Sequence, residues 1–389
     1  MQDFNFYNPA RIIFGKDSLT QLKDHLHELG DTVLFHYGQA SIKKSGLYDE
    51  VLAILKDAGI KVFELGGVKP NPTYDLVAEG LDLVKAHPIT GILAVGGGSV
   101  IDSAKAIAAG ALYEGNFEDA FYHNEHVDKA LPVGCVLTIP AAGSESSASC
   151  VVTVHDNTHK RSIKGEAIIP KFAIINPTYF TTLSKDQAAA GISDIFSHLL
   201  ERYFTHTQQV DYTDRLLEAT MRTVVHYGVQ VANNLEDVDA WSEVAFAGTL
   251  AHNGLLGVGR QEDWASHRIE HELSTLYDIP HGVGLAIVFP AWMKYVYSEN
   301  KKRFMQFAMR VFDVDFALEQ EDLIIEKGIE KYEQFLKDMG LVTRLSDLGI
   351  QSDDADVLIA RAFEARPDHF GHFKKITRDD MREILKLMK

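Results

Sequence analysis

Asp194 and His198 stand four residues apart, His267 and His271 repeat the interval, and His281 follows ten residues later. Residues i and i+4 share one face of an α-helix, one turn apart, so each pair can aim two side chains at one point. Imidazole and carboxylate form a borderline-hard donor set that suits zinc, iron(II) or a similar divalent ion. The spacing predicts a metal site gathered from two helices remote in sequence, with all five residues as candidate ligands. A solvated surface pair or a hydrogen-bonded core histidine is the alternative for any one of them, in a chain with 17 histidines. Against that, Leu199 and Leu200 follow His198, and His281 lies in the apolar run IPHGVGLAIVFP. Histidines so placed need partners, because burying an unpaired polar group is costly.

A second motif is VGGGSVIDSAK, residues 95–105. Gly96, Gly97 and Gly98 follow a β-rich run, and Ser99 is expected to cap the helix that begins there. Glycines let a backbone approach a ligand closely, and a helix N-terminus attracts an anion, so a pyrophosphate is the natural guest. The stretch is neither G-x-G-x-x-G nor a P-loop, and a tight turn without a ligand would use the same residues. Asp102, in the first helical turn, is read either as a capping-box residue or as a contact to a ribose or amide.

These residues sit in two halves with different patterning. TVLFHY (32–37), KVFEL (61–65) and GILAVGGGS (91–99) read as strands. LYDEVLAILKDAG (47–59), TYDLVAEGLDLVKAH (73–87) and VIDSAKAIAAGAL (100–112) read as the helices between and after them. PVGCVLTIP (132–140), CVVTV (150–154) and KFAII (171–175) add further strands. Repeated β-turn-α predicts a parallel, Rossmann-like sheet with helices on its faces. After about residue 184, apolar residues recur at three- and four-residue spacing and only GLAIVF remains ambiguous. The expected architecture is an α/β dinucleotide-binding domain over 1–183 and an all-helical metal-binding domain over 184–389.

The chain has 389 residues, enough for two cores, and a net charge of −17 from 55 acidic and 38 basic residues. That balance argues against nucleic acid and against an anionic membrane surface, while leaving room for a phosphorylated cofactor in a local pocket. The two cysteines, Cys135 and Cys150, give no disulfide framework and favour a reducing compartment. MQDFNFYNPARIIFGK does not read as a signal peptide, and a cytoplasmic protein is expected.

NPARIIFGK, PNPTYD (70–75), GGGSVIDSAK, TIPAAGSESS (138–147) and DWASHRIEHELSTLYDIPHGVGLAIVFPAWM (263–293) occur in order along nearly the whole chain. In them the chain resembles the iron-containing, metal-dependent alcohol dehydrogenases, within the branch of NADPH-dependent butanol dehydrogenases and aldehyde reductases. The resemblance implies a dehydroquinate synthase-like fold, a homodimer, and Asp194, His198, His267 and His281 as ligands of one divalent metal, Fe2+ or Zn2+, with Co2+ or Ni2+ also acceptable. His271 would lie near the nicotinamide and supply the proton, directly or through water. Gly97, Gly98 and Ser99 match the pyrophosphate cradle, with Asn71 and Asp102 beside it, and Thr138, Ser144, Lys160 and Tyr179 fall where the nicotinamide and ribose are lined. Relatives that use NAD often carry an aspartate just after the second strand. Here Gly38, Gln39, Ala40 and Ser41 offer no carboxylate, and Lys43 and Lys44 follow, so NADP(H) is favoured over NAD. Lys43 and Lys44 could equally be solvated helix-end charges. Ala142 departs from the hydroxyl residue common in relatives.

The resemblance implies hydride exchange between the cofactor and a small primary alcohol or aldehyde whose oxygen the metal polarises. Other readings use the same residues. HRIEH (267–271) matches H-x-x-E-H, which would make Glu270 the base of a zinc hydrolase. That reading leaves Asp194, His198 and the glycine loop unused, and Glu270→Gln is expected to cripple a hydrolase and spare a dehydrogenase. A glycerol-type polyol dehydrogenase or a dehydroquinate synthase-like lyase would share the scaffold.

Overall fold

Strands buried on both faces are apolar along most of their length, and four runs of this chain are. In the computed structural model, which describes residues 1–154, 159–316, 320–350, 354–364 and 368–389, they are β2 (Thr32–Tyr37), β4 (Gly91–Gly96), β5 (Val133–Leu137) and β8 (Phe172–Ile175), all fully buried. The half-exposed β1 (Arg11–Phe14) and β3 (Lys61–Leu65) close the edges. The six strands are all parallel, in the order β1-β8-β5-β4-β2-β3. The remaining two, β6 (Ser149–Val154) and β7 (His159–Lys164), form a separate antiparallel ribbon. CVVTV is thus a strand, as expected, but it pairs with the polar HKRSIK of β7 and not with the parallel sheet.

Chain order reverses between β2 and β4. The connection from β2 leads outward to β3, and that from β4 leads the other way to β5. Such a switch leaves a crevice at the C-terminal ends of the two strands, where open α/β sheets take their ligands. Among the described residues, six α-helices accompany the sheet: α1 (Leu22–His25), α2 (Ser41–Lys44), α3 (Leu47–Asp57), α4 (Tyr74–Ala86), α5 (Gly98–Gly110) and α6 (Phe117–Tyr122). Leu22, Leu26, Val51 and Leu55 pack on Val33, Phe35, Leu93 and Val95 to form the core on one face.

The second unit comprises Met1–Phe6 and Ser184–Lys389, and the first Tyr7–Leu183. Among the described residues its regular elements after Ser184 are all helical: α7 (Lys185–Tyr203), α8 (Asp211–Asn233), α9 (Val238–His252), α10 (Ala265–Tyr277), α11 (His281–Val296), α12 (Lys301–Phe312), α13 (Glu321–Asp338), α14 (Ala355–Ala362) and α15 (Arg378–Leu387). GLAIVF lies inside α11, whose residues are buried almost throughout; burial on every side hides the helical period that would have identified it. Helix α7 opens with a capping box of Ser184 and Gln187 and is buried along most of its length. No described helix is long and apolar enough to cross a membrane.

Candidate active site

A buried helix normally shows apolar residues on its inner face, yet α7 buries Asp194, His198 and Glu201 at positions i, i+4 and i+7. That stripe meets His267, Glu270 and His271 of α10 and His281, the first residue of α11. The ligand atoms of Asp194, His267 and His281 lie within 4.8 Å of one another. The His198 ring joins them, 4.7 Å from that of His267 between centroids. His271 is half-buried at the margin, its ring 5.5 Å from that of His281 and 6.5 Å from that of His267. Glu270, His271 and His281 also bring donor atoms within 4.8 Å of each other, so proximity alone does not separate His271 from the ligands.

Local structure explains how these side chains converge. Helix α10 begins after Trp264, whose φ of 67° is left-handed, and no side chain of its own caps it. Glu201 does so from α7: its carboxylate accepts from the amide of Trp264 at 2.6 Å and from that of His267 at 3.0 Å. Helix α10 ends at Asp278, again left-handed, and Pro280 turns the chain into α11. There a Cβ on Gly282 would fall 1.9 Å from the carbonyl oxygen of Ala190, and one on Gly284 would fall 2.6 Å from Oε1 of Glu270. Glycine at these positions lets α11 lie directly against α7 and leaves room for the Glu270 carboxylate. Ser193 fixes the first contact by donating to the carbonyl of Gly282 at 2.8 Å.

The electrostatics suit a cation. Nε2 of His267 is buried without a hydrogen-bond partner among the described residues, a costly state unless something else satisfies it, and Oδ1 of Asp194 is paired with Nδ1 of His198 at 3.1 Å. Burial pushes the Asp194 carboxyl up, but the imidazoles of His198 and His281 outweigh it and hold the group well below the usual carboxylate range. Burial and the neighbouring His198 and His281 hold His267 well below the ordinary histidine value, so it is neutral and offers a lone pair. Nδ1 of His198 is occupied by the carbonyl oxygen of Asp194 at 2.9 Å, leaving Nε2 outward. One carboxylate and two imidazoles whose ligand atoms converge, with the His198 ring beside them, fit a divalent first-row ion.

Glu201 and His252 have no place in the sequence reading, and Glu270 has a different one. Glu201 and Glu270 each hold a histidine, and the His252 ring lies tilted 4.3 Å from that of His198. Glu201 carried a signal, three residues beyond His198 on the same helical face. Glu270 was read instead as a candidate hydrolytic base. The structure corrects this: its buried carboxylate accepts from Nδ1 of His281, so it serves a histidine rather than a water, and Glu270→Gln no longer separates a hydrolase from a dehydrogenase.

In the α/β unit, the other residues singled out gather around the C-terminal ends of the strands. Gly38 follows β2, Gly97 and Gly98 follow β4, Thr138 follows β5, and Tyr179 lies in the turn after β8. Helix α5 starts at Gly98 with Gly97 as its cap residue, so Ser99 is inside the first turn and does not cap it. The amides of this turn have no preceding carbonyl within the helix and remain available to an anion. A Cβ on Gly96 would strike Val100 at 2.4 Å, so packing alone requires that glycine; one on Gly98 would meet only Ala142, at 3.4 Å. Asp102 makes no capping box. Its carboxylate accepts from the Ser144 hydroxyl at 2.5 Å and from the amide of Val151 at 3.0 Å, tying α5 to the TIPAAGSESS segment and β6. Asn71 adopts a left-handed φ of 56° just before α4, and Lys160 is buried on β7 opposite Thr153. Gln39 and Ser41 are exposed at the start of α2, where Lys43 lies over the rings of Tyr37 and Tyr48 at 5.1 and 4.7 Å.

Residues 9–177 match the family described as iron-containing alcohol dehydrogenase, and residues 188–388 match its C-terminal region. The chain is 41% identical to a probable NADH-dependent butanol dehydrogenase of Bacillus subtilis and 35% identical to the NADPH-dependent aldehyde reductase YqhD of Escherichia coli, over 99% of each chain. The crystal structure of an NADH-dependent butanol dehydrogenase A from Thermotoga maritima, 41% identical, superposes with a TM-score of 0.95 over 100% of this chain and 99% of that one. The chain belongs to the iron-containing alcohol dehydrogenase family, oxidoreductases that pair a divalent metal with a nicotinamide cofactor.

Proposed function

We propose that this protein interconverts short- to medium-chain primary alcohols and aldehydes, with Asp194, His198, His267 and His281 holding one ion, Fe2+ or Zn2+. The observation that carries this reading is the convergence of Asp194, His267 and His281 within 4.8 Å, with Nε2 of His267 buried and unpartnered among the described residues. When bound, the ion would act as a Lewis acid on the substrate oxygen while the nicotinamide exchanges a hydride with the substrate carbon. His271, half-buried beside His281, holds the proton that the substrate oxygen gains on reduction and gives up on oxidation. The first turn of α5, from Gly97 to Ser99, takes the pyrophosphate. Asn71, Asp102, Thr138, Ser144, Lys160 and Tyr179 complete the cofactor site, Asp102 by fixing Ser144.

The adenosine side fits NADPH. No carboxylate lies between Gly38 and Lys44, and the ammonium of Lys43 rests over two tyrosines next to the exposed Ser41. Glu64, on β3, already accepts from the hydroxyls of Tyr37 and Tyr48 at 3.1 and 2.7 Å. The butanol dehydrogenases of Bacillus subtilis carry NADH in their names and the Escherichia coli reductase carries NADPH. Metal analysis of the purified protein, with reduction rates for a series of linear aldehydes using NADPH and NADH, tests the whole reading. One divalent ion per chain, aldehyde reduction and a preference for NADPH are expected. Turnover of glycerol in place of aldehydes would favour the polyol dehydrogenase alternative.

A further inference from the structure

The two carboxylates behind the metal-site histidines are placed alike. Oε1 of Glu201 lies 2.7 Å from Nδ1 of His267, and Oε2 of Glu270 meets Nδ1 of His281. Both glutamates are buried, at 1% and 0% exposure, and they reach their histidines from different helices: Glu201 from α7 across to α10, Glu270 from α10 across to α11. Burial pushes the Glu201 carboxyl up to about 7, but its two oxygens already accept from the amides of Trp264 and His267, and as acceptors the two carboxylates set each imidazole with its proton on Nδ1 and Nε2 as a lone pair. For His267 that nitrogen is the buried atom without a partner. For His281 it lies 3.8 Å from Oδ1 of Asp194. Both Nε2 atoms therefore face the point where Asp194 stands. Gly284 contributes by omission, because a side chain there would occupy the place of the Glu270 carboxylate.

We propose that Glu201 and Glu270 are positioning residues for the metal, fixing the tautomer and ring orientation of His267 and His281 and strengthening them as donors. This rests on the reading of Asp194, His198, His267 and His281 as the metal site. Outer carboxylates of this kind hold the ring against rotation, and losing one typically weakens metal binding roughly 10- to 100-fold. Glu272 supplies a control: it is buried on the same helix and pairs with Arg361, at 3.2 Å.

The test challenges the zinc-loaded protein with graded chelator and measures the zinc retained, in wild type and in the Glu201→Gln, Glu270→Gln and Glu272→Gln variants. The expected result is one ion per chain in wild type and Glu272→Gln, and zinc lost at roughly 10- to 100-fold less chelator in each of the other two. Wild-type retention in both Glu201→Gln and Glu270→Gln overturns the proposal and leaves the metal site standing. A wild type that holds no zinc overturns the metal site itself. Because Glu201 also caps α10, its variant can fail to fold, and histidine nitrogen spectra of the zinc-loaded wild type then decide. Two of the zinc-bound rings should carry a proton on Nδ1 that is donated to a carboxylate and bind through Nε2, as His267 and His281; coordination of either through Nδ1 overturns the proposal.

Discussion

The ammonium of Lys105, buried in α5, donates to the carbonyl oxygen of Ser147 at 2.9 Å and to that of Ser149 at 3.0 Å. A third contact, 3.1 Å to the Ser147 hydroxyl, completes its donors. Lys105 thus fastens the segment carrying Ser144 to the helix that starts at the glycine loop. Lys105→Met leaves the buried Ser147 carbonyl and the part-buried Ser149 carbonyl without this donor and should cost about 1–3 kcal/mol of stability. It should also weaken nicotinamide cofactor binding while leaving metal content intact. Chemical denaturation and a cofactor titration measure the two effects; unchanged cofactor affinity in a folded variant would remove the role given to this anchor.

His267→Ala and His271→Ala should differ in kind. The first removes a buried donor from the metal cluster, so metal content and activity should fall together. The second should keep the metal and lower turnover, roughly 10²- to 10⁴-fold if His271 delivers the proton directly. Elemental analysis alongside kinetics separates them. An empty site in His271→Ala would exchange the roles of ligand and proton donor.

His36 should make the α/β unit sensitive to acid. Its ring is fully buried on β2 between the carbonyl of Leu65, at 2.8 Å, and the hydroxyl of Ser103, at 2.9 Å. Burial pulls it down to about 4, against the raising effect of the Leu65 bond. An unfolded histidine takes up its proton near pH 6.5, whereas this folded one does not until about pH 4. Its contribution is therefore complete above about pH 6.5 and declines as the pH falls toward 4, by about 3 kcal/mol in all. Denaturation of wild type and His36→Gln across that range should show the wild type losing its advantage as acid is added; parallel curves would contradict the assignment.

Gly282→Ala should act on both stability and metal retention. Its methyl group would meet the backbone of Ala190, which cannot swing aside as a side chain would. A cost of about 1–3 kcal/mol is expected from overpacking. Because His281 is the preceding residue, the displaced helix end should also loosen the ion. Melting curves with and without added zinc check both, and a variant as stable as wild type would show that α11 can shift without penalty.

Much of this architecture was legible in the sequence because the informative segments carry one clean period. β4, β5 and β8 are continuous apolar runs, β2 is one interrupted only by Thr32 and His36, and α3, α4 and α5 lie between turn signals. The elements missed or misplaced lack such a signal. RIIF is a four-residue edge strand, and HKRSIK is polar because its ribbon lies outside the main sheet. At the site, spacing brought out Asp194, His198, His267 and His271 because helical pairs are local. The partnership of Glu270 with His281 depends on the turn through Asp278 and Pro280 and on the bare backbone of Gly284, which no spacing rule contains. Ser99 was expected at a cap that the chain gives to Gly97.

The buried carboxylates bear finally on what the pocket will admit. In the proposed metal centre the carboxylates of Asp194, Glu201 and Glu270 would offset the two charges of a divalent ion, even with the Glu201 carboxyl pushed up to about 7 by burial, so the loaded centre would be no sink for anions. A hydroxy acid or keto acid would bring its own carboxylate to a centre with no net positive charge to offset its desolvation. An uncharged aldehyde pays no such toll, and chain length and shape are then free to set the preference among neutral guests.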